Sequence, residues 1–257
     1  MGHVVIAGVG LETRLIPGDA AAPWLVFLHE GLGCVSLWRD FPDKLARRLN
    51  APALVYSRRG YGQSDPLPGT DHRREPSFMH DEARDVLPKL LAHFGIAAPV
   101  LIGHSDGASI ALIHAADAGH RVRAAVLMAP HVFVEAISQQ SIARITETYE
   151  TTDLRQRLAR HHAHVNDAFL GWARIWLDPR FRSWSLGPEA SRLACPTLLI
   201  QGTDDEYGTL AQLDAIAEVA PAPVERLVLE NCGHAPHRDR EADVLDAIAA
   251  FWQRFSA

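Results

Sequence analysis

Cysteine is scarce in this chain of 257 residues. The three cysteines, Cys34, Cys195 and Cys232, are odd in number and widely spaced. They contain no Cys-x-x-Cys pair of the kind that indicates zinc or a redox dithiol. We therefore expect reduced thiols with a structural role and no metal site.

Long apolar runs are also missing. No segment reaches the ~18 uninterrupted apolar residues that a membrane-spanning helix needs. The first residues, MGHVVI, lack the basic stretch and the long apolar stretch of a secretory signal. These absences predict a soluble, cytoplasmic protein with no membrane partner.

Positive charge is in deficit, with 25 Lys and Arg against 31 Asp and Glu. No basic run is present that could neutralise a phosphate backbone, so nucleic acid is excluded as a partner. The short clusters Arg58-Arg59 and His72-Arg73-Arg74 are interpreted as solvated loops. We expect a small-molecule substrate, and a monomer or a homodimer.

The sequence predicts a regular alternation of strands and helices along the chain. Hydrophobic residues make up 47% of the chain, enough for one large core. After an antiparallel hairpin in 3–16, short apolar runs predict buried strands at 24–28, 53–56, 99–102, 122–128, 197–201 and 225–230. Helical spacing predicts helices at 37–49, 78–94 (bent or broken by Pro88), 106–118, 210–219 and 240–255. This order is typical of an α/β fold with a mostly parallel sheet between two helical layers.

The alternation stops for roughly sixty residues after Pro130. This stretch has helical patches, several histidines and three tryptophans. We interpret 131–189 as a small helical cap inserted into a core formed by 1–130 and 190–257.

The pentapeptide Gly103-His104-Ser105-Asp106-Gly107 lies between a predicted buried strand and a predicted helix. That context is the one a Gly-x-Ser-x-Gly nucleophile elbow requires. The flanking glycines suit a turn so tight that a Cβ would collide with its neighbours. A helix N-cap would also favour serine, but it would not need both glycines. Ser105 is therefore predicted to be a catalytic nucleophile.

A serine hydroxyl needs a base and an orienting carboxylate elsewhere in the chain. His234 follows the last predicted strand and is the preferred base, with His237 in reserve. The strand at 197–201 ends in three carboxylates, Asp204, Asp205 and Glu206, among which spacing alone does not choose. The order Ser, Asp, His is the one associated with this elbow.

Over nearly its full length the chain resembles the α/β-hydrolase superfamily. The resemblance rests on His29-Glu30-Gly31-Leu32-Gly33, the Ser105 elbow, Gly202-Thr203-Asp204-Asp205 and Gly233-His234. It implies Asp205 as the acid. It also implies an oxyanion hole formed by the amide of Asp106 with that of Gly31 or Leu32.

Substrate contacts are predicted from three further residues. Trp172 and Trp176 are four apart and would share one helix face, either roofing a pocket or only packing the cap on the core. His131 follows the strand at 122–128, so it should lie near the cleft.

The leading hypothesis is a hydrolase of small carboxylic esters or similar activated acyl compounds, working through an acyl-enzyme without metal or organic cofactor. Alternatives are a carbon–carbon hydrolase of ring-fission diketones, a cofactor-free perhydrolase, or a ligand receptor that retains the fold. Dehalogenases and epoxide hydrolases are disfavoured because those relatives carry Asp at the nucleophile position.

Overall fold

The computed structural model describes residues 2–255, and an eight-stranded sheet forms its centre. Short apolar runs become strands because both of their faces are covered. The strands are β1 (Gly2–Ile6), β2 (Val9–Ile16), β3 (Leu25–Leu28), β4 (Ala53–Tyr56), β5 (Val100–His104), β6 (Ala124–Met128), β7 (Thr197–Gly202) and β8 (Val224–Leu229).

The strand order across the sheet is β1-β2-β4-β3-β5-β6-β7-β8. Strands β3 to β8 run parallel, and β2 joins β1 and β4 in antiparallel fashion. One large apolar cluster lies on each face of the sheet. The predicted fold class is thus confirmed, and the carboxyl ends of β3 to β8 meet at one edge where loop residues converge.

The α-helices flank the sheet. They are α1 (Phe41–Leu49), α2 (Phe78–Asp81), α3 (Leu87–His93), α4 (Asp106–Ala115), α5 (Ala136–Thr151), α6 (Leu154–Leu158), α7 (Val165–Trp176), α8 (Gly187–Ala190), α9 (Ala211–Ala217), α10 (Pro236–Asp239) and α11 (Glu241–Gln253). Among residues 2–255, no helix is long and apolar enough to cross a bilayer.

Two predicted helices differ from the observed ones. The helix expected at 37–49 is a 3₁₀ turn, Val35–Trp38, followed by α1, because Arg39 has a left-handed φ of 55° that breaks the helix. The helix expected at 78–94 is not broken at Pro88. Instead the backbone widens into a π-helical stretch, Glu82–Val86, between α2 and α3. Proline has no N–H to donate to the preceding turn, and the wider turn accommodates that loss.

Helices α5 to α8 all lie between β6 and β7, and all but the last residue of α8 falls in the stretch 131–189. Their apolar side chains include Phe169, Trp172 and Trp176, which join the cluster on one face of the sheet. The division into a core and a cap stays a prediction. The three cysteines are buried and free.

Candidate active site

Ser105 occupies the turn between β5 and α4. Its backbone has φ 53° and ψ −121°, a strained conformation for a residue with a side chain. The strand ends at His104 and the helix begins at Asp106, so the strain is confined to one residue. Ser105 is therefore held at the N-terminus of α4, where the first amides have no partner within the helix.

Both glycines of the elbow are required by close backbone contacts. A Cβ on Gly103 would lie 2.5 Å from the Cα of Ala108. A Cβ on Gly107 would overlap the backbone carbonyl of Leu28 in the neighbouring strand β3. Neither neighbour is a flexible side chain, so the two positions exclude any larger residue.

Three side chains, each following the end of a different strand, are joined by two consecutive hydrogen bonds. The Oγ of Ser105 lies 2.9 Å from Nε2 of His234, and Nδ1 of His234 lies 2.8 Å from Oδ1 of Asp205. Both distances are within hydrogen-bonding range. The structure thus brings together a hydroxyl, an imidazole and a carboxylate in the arrangement that serine activation requires.

Asp205, rather than Asp204 or Glu206, contacts the imidazole. Its Oδ1 also accepts the backbone N–H of Tyr207 at 2.8 Å, and its Oδ2 accepts Nε2–H of Gln201 at 3.1 Å. Asp204 is exposed, with its carboxylate beside the hydroxyl of Thr203. Asp205 is therefore oriented by donors on both oxygens.

The pair His234 and Asp205 perturbs the pKa of both groups. Burial lowers the pKa of His234, but the adjacent Asp205 carboxylate outweighs it and raises the pKa above 6.5. Burial likewise raises the pKa of Asp205, and the nearby His234 together with the Tyr207 amide brings it below its usual value. An imidazolium at His234 is thus stabilised beside an ionised Asp205.

His237, the reserve base, does not approach Ser105 through a hydrogen bond. Its ring packs against Trp38 at 4.9 Å and against His104 at 4.8 Å, centroid to centroid. Burial lowers its pKa well below 6.5, so the ring is a neutral part of the packing.

The loop after β3 contains Gly31 and Leu32, the predicted oxyanion donors. Arg58 donates to the carbonyls of His29 at 3.0 Å and Glu30 at 3.1 Å, and Nδ1–H of His29 donates to the Glu30 carbonyl at 2.7 Å. The carbonyl and N–H of one trans peptide point in opposite directions. Holding the Glu30 carbonyl therefore also fixes the direction of the Gly31 N–H.

The expectation that Arg58 lies in a solvated loop is wrong. Its side chain is only 3% exposed and lies 3.8 Å from the buried carboxylate of Asp106. Its position two residues after the buried strand β4, at the carboxyl edge of the sheet, was the signal for a site residue. Arg59, by contrast, is only partly buried.

Glu30 and His104 help to hold the loops of the site together, a role that the sequence did not indicate. Nε2–H of His104 donates to the backbone carbonyl of His234 at 2.6 Å, and its Nδ1 lies 3.4 Å from the Glu30 carboxylate. Glu30 also pairs with Arg238 at 3.2 Å. The loops that contain Gly31, Ser105 and His234 are thus tied together by charged and polar side chains.

A cavity of about 270 Å³ opens beside Ser105. All of the predicted substrate-binding and oxyanion residues line it together with Ser105 and His234, namely Gly31, Leu32, Asp106, His131, Trp172 and Trp176. Asp205 lies behind His234. The volume suits a small molecule.

The two tryptophans of α7 also contact the elbow and the loop after β3. The indole Nε1–H of Trp176 donates to Oδ1 of Asp106 at 3.1 Å. A Cβ on Gly31 would overlap the indole of Trp172. Each tryptophan thus lines the cavity and also packs against residues at the sheet edge, and a role in substrate binding stays a prediction.

Comparison with known proteins assigns the chain to a family. Residues 25–247 match the sequence model of the Alpha/beta hydrolase family. The chain therefore belongs to the alpha/beta hydrolase family, which confirms the resemblance seen in the sequence.

Individual relatives are distant. The chain is 23% identical to the sn-1-specific diacylglycerol lipase ABHD11 of Mus musculus, over 94% of this chain and 84% of that protein. The enol-lactonase of Burkholderia xenovorans LB400 is 20% identical, with a TM-score of 0.72 over 98% of this chain and 100% of its own. A thermophilic esterase from Thermogutta terrifontis is 17% identical, with a TM-score of 0.77 over 100% of this chain and 99% of its own. At these identities the solved structures show a shared fold.

Proposed function

We propose that this protein is a serine hydrolase that cleaves a small carboxylic ester or a similar activated acyl compound through an acyl-enzyme. The observation that carries the proposal is the chain of contacts from Ser105 through His234 to Asp205 at the wall of a cavity. The lipase, lactonase and esterase among its relatives act on such compounds, according to their names, and so favour the same reaction class.

In the proposed reaction, Oγ of Ser105 attacks the carbonyl carbon while Nε2 of His234 takes the hydroxyl proton. Asp205 keeps the imidazole in the correct tautomer and stabilises the imidazolium that forms. The tetrahedral oxyanion is bound by the amide of Asp106 at the start of α4 and by the amide of Gly31 or Leu32. Each such donor lowers the barrier by about 3 kcal/mol.

Collapse of this intermediate expels the alcohol, which receives its proton from His234. Water then adds to the acyl-enzyme with His234 again acting as base, and the acid is released from Ser105. The chain's own residues supply every proton transfer in this cycle.

The test is turnover of p-nitrophenyl acetate and butyrate by the wild type and by Ser105→Ala. We expect the variant to remain folded and to lose essentially all activity. Full activity in Ser105→Ala would overturn the assignment of the nucleophile.

A covalent probe gives a readout that does not depend on the natural substrate. Diisopropyl fluorophosphate should transfer its phosphoryl group to Oγ of Ser105 with loss of fluoride, visible as a mass increase on the peptide that contains Ser105. An unmodified serine under conditions that label other serine hydrolases would contradict the proposal.

The preferred acyl compound can be identified by measuring kcat/KM for a panel of substrates. The panel contains short and long acyl esters, lactones, thioesters and ring-fission diketones. A clear preference for diketones would move the function to carbon–carbon cleavage, and absence of turnover with retained ligand binding would favour a receptor.

A further inference from the structure

His104 joins the proposed base to the strand that leads into the nucleophile. It is the last residue of β5 and pairs with Met128 in β6, so the sheet fixes its backbone. Its side chain is buried, and its Nε2 lies 2.6 Å from the backbone carbonyl oxygen of His234. Because a carbonyl oxygen only accepts hydrogen bonds, Nε2 carries a proton and donates it. The backbone of the base is therefore bound to the residue that immediately precedes Ser105.

This hydrogen bond holds a part of His234 that the triad contacts do not reach. Ser105 and Asp205 contact the two nitrogens of the imidazole, not the backbone. The backbone N–H of His234 lies 3.2 Å from Oε2 of Glu206, an exposed residue that water also solvates. Among residues 2–255, only His104 donates to the carbonyl of His234. Loss of that donor would leave the carbonyl unpaired and its peptide group free to rotate.

Glu30 lies beside the other nitrogen of the same ring. Its Oε2 is 3.4 Å from Nδ1 of His104, an atom with no hydrogen bond within the described chain. Burial raises the pKa of the Glu30 carboxyl, but His104 and Arg238 outweigh burial and lower the pKa well below its usual range. Glu30 is therefore a carboxylate at neutral pH. Since Nε2 of His104 already carries a proton, a second proton on Nδ1 makes the ring an imidazolium that pairs with Glu30.

The carboxylate of Glu30 is held by the loop after β3 and by α10. A Cβ on Gly33 would overlap it, so glycine at that position leaves room for the side chain of Glu30. Arg238 in α10 pairs with Oε1 of Glu30 at 3.2 Å. The backbone carbonyl of Glu30 also sets the direction of the Gly31 N–H. His104 thus contacts both the base and the loop that is predicted to supply an oxyanion donor.

Three aromatic rings pack around the imidazole of His104. The ring centroids of His237, His234 and Trp38 lie 4.8, 5.2 and 6.4 Å from that of His104. Burial lowers the pKa of His237 well below 6.5, so this neighbour is neutral. Rotation of the imidazole away from the His234 carbonyl is opposed by this packing.

We propose that His104 is a positioning residue for the base, with Glu30 as its partner. His104 holds the backbone of His234 so that the imidazole of His234 faces Oγ of Ser105. Glu30 restrains the ring of His104 and ties it to the loop predicted to form the oxyanion hole. Because neither residue acts on the substrate in this role, their loss should lower kcat and leave KM nearly unchanged. This inference rests on the proposed hydrolysis at Ser105.

Two substitutions of equal length test the donor. His104→Gln keeps an amide N–H near the position of Nε2, whereas His104→Met fills a similar volume without a donor. With p-nitrophenyl butyrate we expect kcat to fall by about 100-fold in His104→Met and by no more than about tenfold in His104→Gln, with KM within about twofold of the wild type in both. Urea denaturation checks that both variants are folded. Equal kcat in the two variants would overturn the inference.

Glu30→Gln tests the partner in two backgrounds. We expect it to lower kcat by about fivefold in the wild type but by less than about twofold in His104→Gln, because the ring through which Glu30 acts is then absent. This comparison does not depend on the folding of His104→Met. Equal falls in both backgrounds would show that Glu30 does not act through His104, and would remove it from the inference.

Proton nuclear magnetic resonance separates this inference from the proposed function. The Nδ1 proton of His234, shared with Asp205, should give a resonance far downfield of the backbone amides. We expect this resonance to stay near its wild-type position in His104→Gln and to shift or broaden in His104→Met, without any substrate present. An unchanged resonance in both variants would overturn the inference even if hydrolysis is found. The expected changes in a protein that hydrolyses none of the panel would support the inference and overturn the proposed function alone.

Discussion

The carboxyl edge of the sheet and the segment 131–189 both line the cavity, but they hold their side chains differently. At the sheet edge, Ser105 and Asp205 directly follow strands or come within a few residues of them, and close backbone contacts fix the turns. In the segment, Trp172 and Trp176 are placed mainly by apolar and aromatic side-chain packing, with one hydrogen bond from Trp176 to the sheet edge. We therefore expect substitutions at the sheet edge to have the larger effects.

The largest effect is expected for Asp205→Asn. The amide would favour the wrong imidazole tautomer of His234, so kcat should fall by about 10⁴-fold. The control is the neighbouring Asp204→Asn, which should change kcat by no more than about threefold because Asp204 is exposed. Steady-state kinetics with p-nitrophenyl butyrate measure both, and the reverse ranking would move the acid to Asp204.

Substitution of one glycine in each region compares the two regions directly. Gly107→Ala places a Cβ against the Leu28 carbonyl, so the free energy of unfolding should fall by about 2–3 kcal/mol. Gly187→Ala, in α8 of the segment, places its Cβ 3.6 Å from Oγ of Ser185, an ordinary contact. We expect that variant within about 0.5 kcal/mol of the wild type. Urea denaturation measures both, and similar losses would contradict the comparison.

The pH dependence of kcat/KM tests the environment of His234. The base must be neutral, and the Asp205 carboxylate raises the pKa of His234 above 6.5. Activity should therefore fall about tenfold per pH unit on the acid side of a midpoint above pH 6.5. In Asp205→Asn the midpoint should move to lower pH. A wild-type midpoint below 6.5 would contradict the observed pairing.

The smallest effect is expected from two buried histidines, one in each region. Burial lowers the pKa of His114 in α4 and of His162 in the segment to about 4 each. Between pH 6.5 and 4 the unfolded chain binds these protons and the folded chain does not. The free energy of unfolding therefore decreases as pH falls, by roughly 1–2 kcal/mol per histidine between pH 7 and 5.

Substitution separates the two histidines. His114→Gln and His162→Gln should each make stability less dependent on pH, as measured by urea denaturation at pH 7 and pH 5. Only His162→Gln should also lower kcat/KM, because His162 donates to the carbonyl of Leu32 at 3.1 Å in the cavity wall. An equal loss of activity in His114→Gln would show that the effect is one of general stability.

Much of the sheet edge was predictable from local sequence. The apolar run before Ser105 predicts β5, and the two glycines predict the turn. Because parallel strands end at a common edge, the loops that carry Asp205 and His234 were expected to lie near Ser105. The choice of Asp205 over Asp204 came from resemblance, since their spacing differs by one residue only.

The remaining features depend on contacts that sequence patterns do not encode. Arg58 resembles any polar loop residue until β4 and the loop after β3 are placed side by side. The hydrogen bond from Trp176 to Asp106 joins positions 70 residues apart. The interruption at Arg39 depends on one backbone angle in a stretch whose apolar spacing is otherwise helical.

The contact between Gly31 and Trp172 ties the composition of the loop after β3 to that of α7. The indole fills the space that a side chain at position 31 would need. A larger residue at 31 therefore requires a smaller one at 172, and that exchange would move the wall of the cavity. A change of substrate range by a larger side chain at position 31 thus has to be made together with a smaller one at position 172.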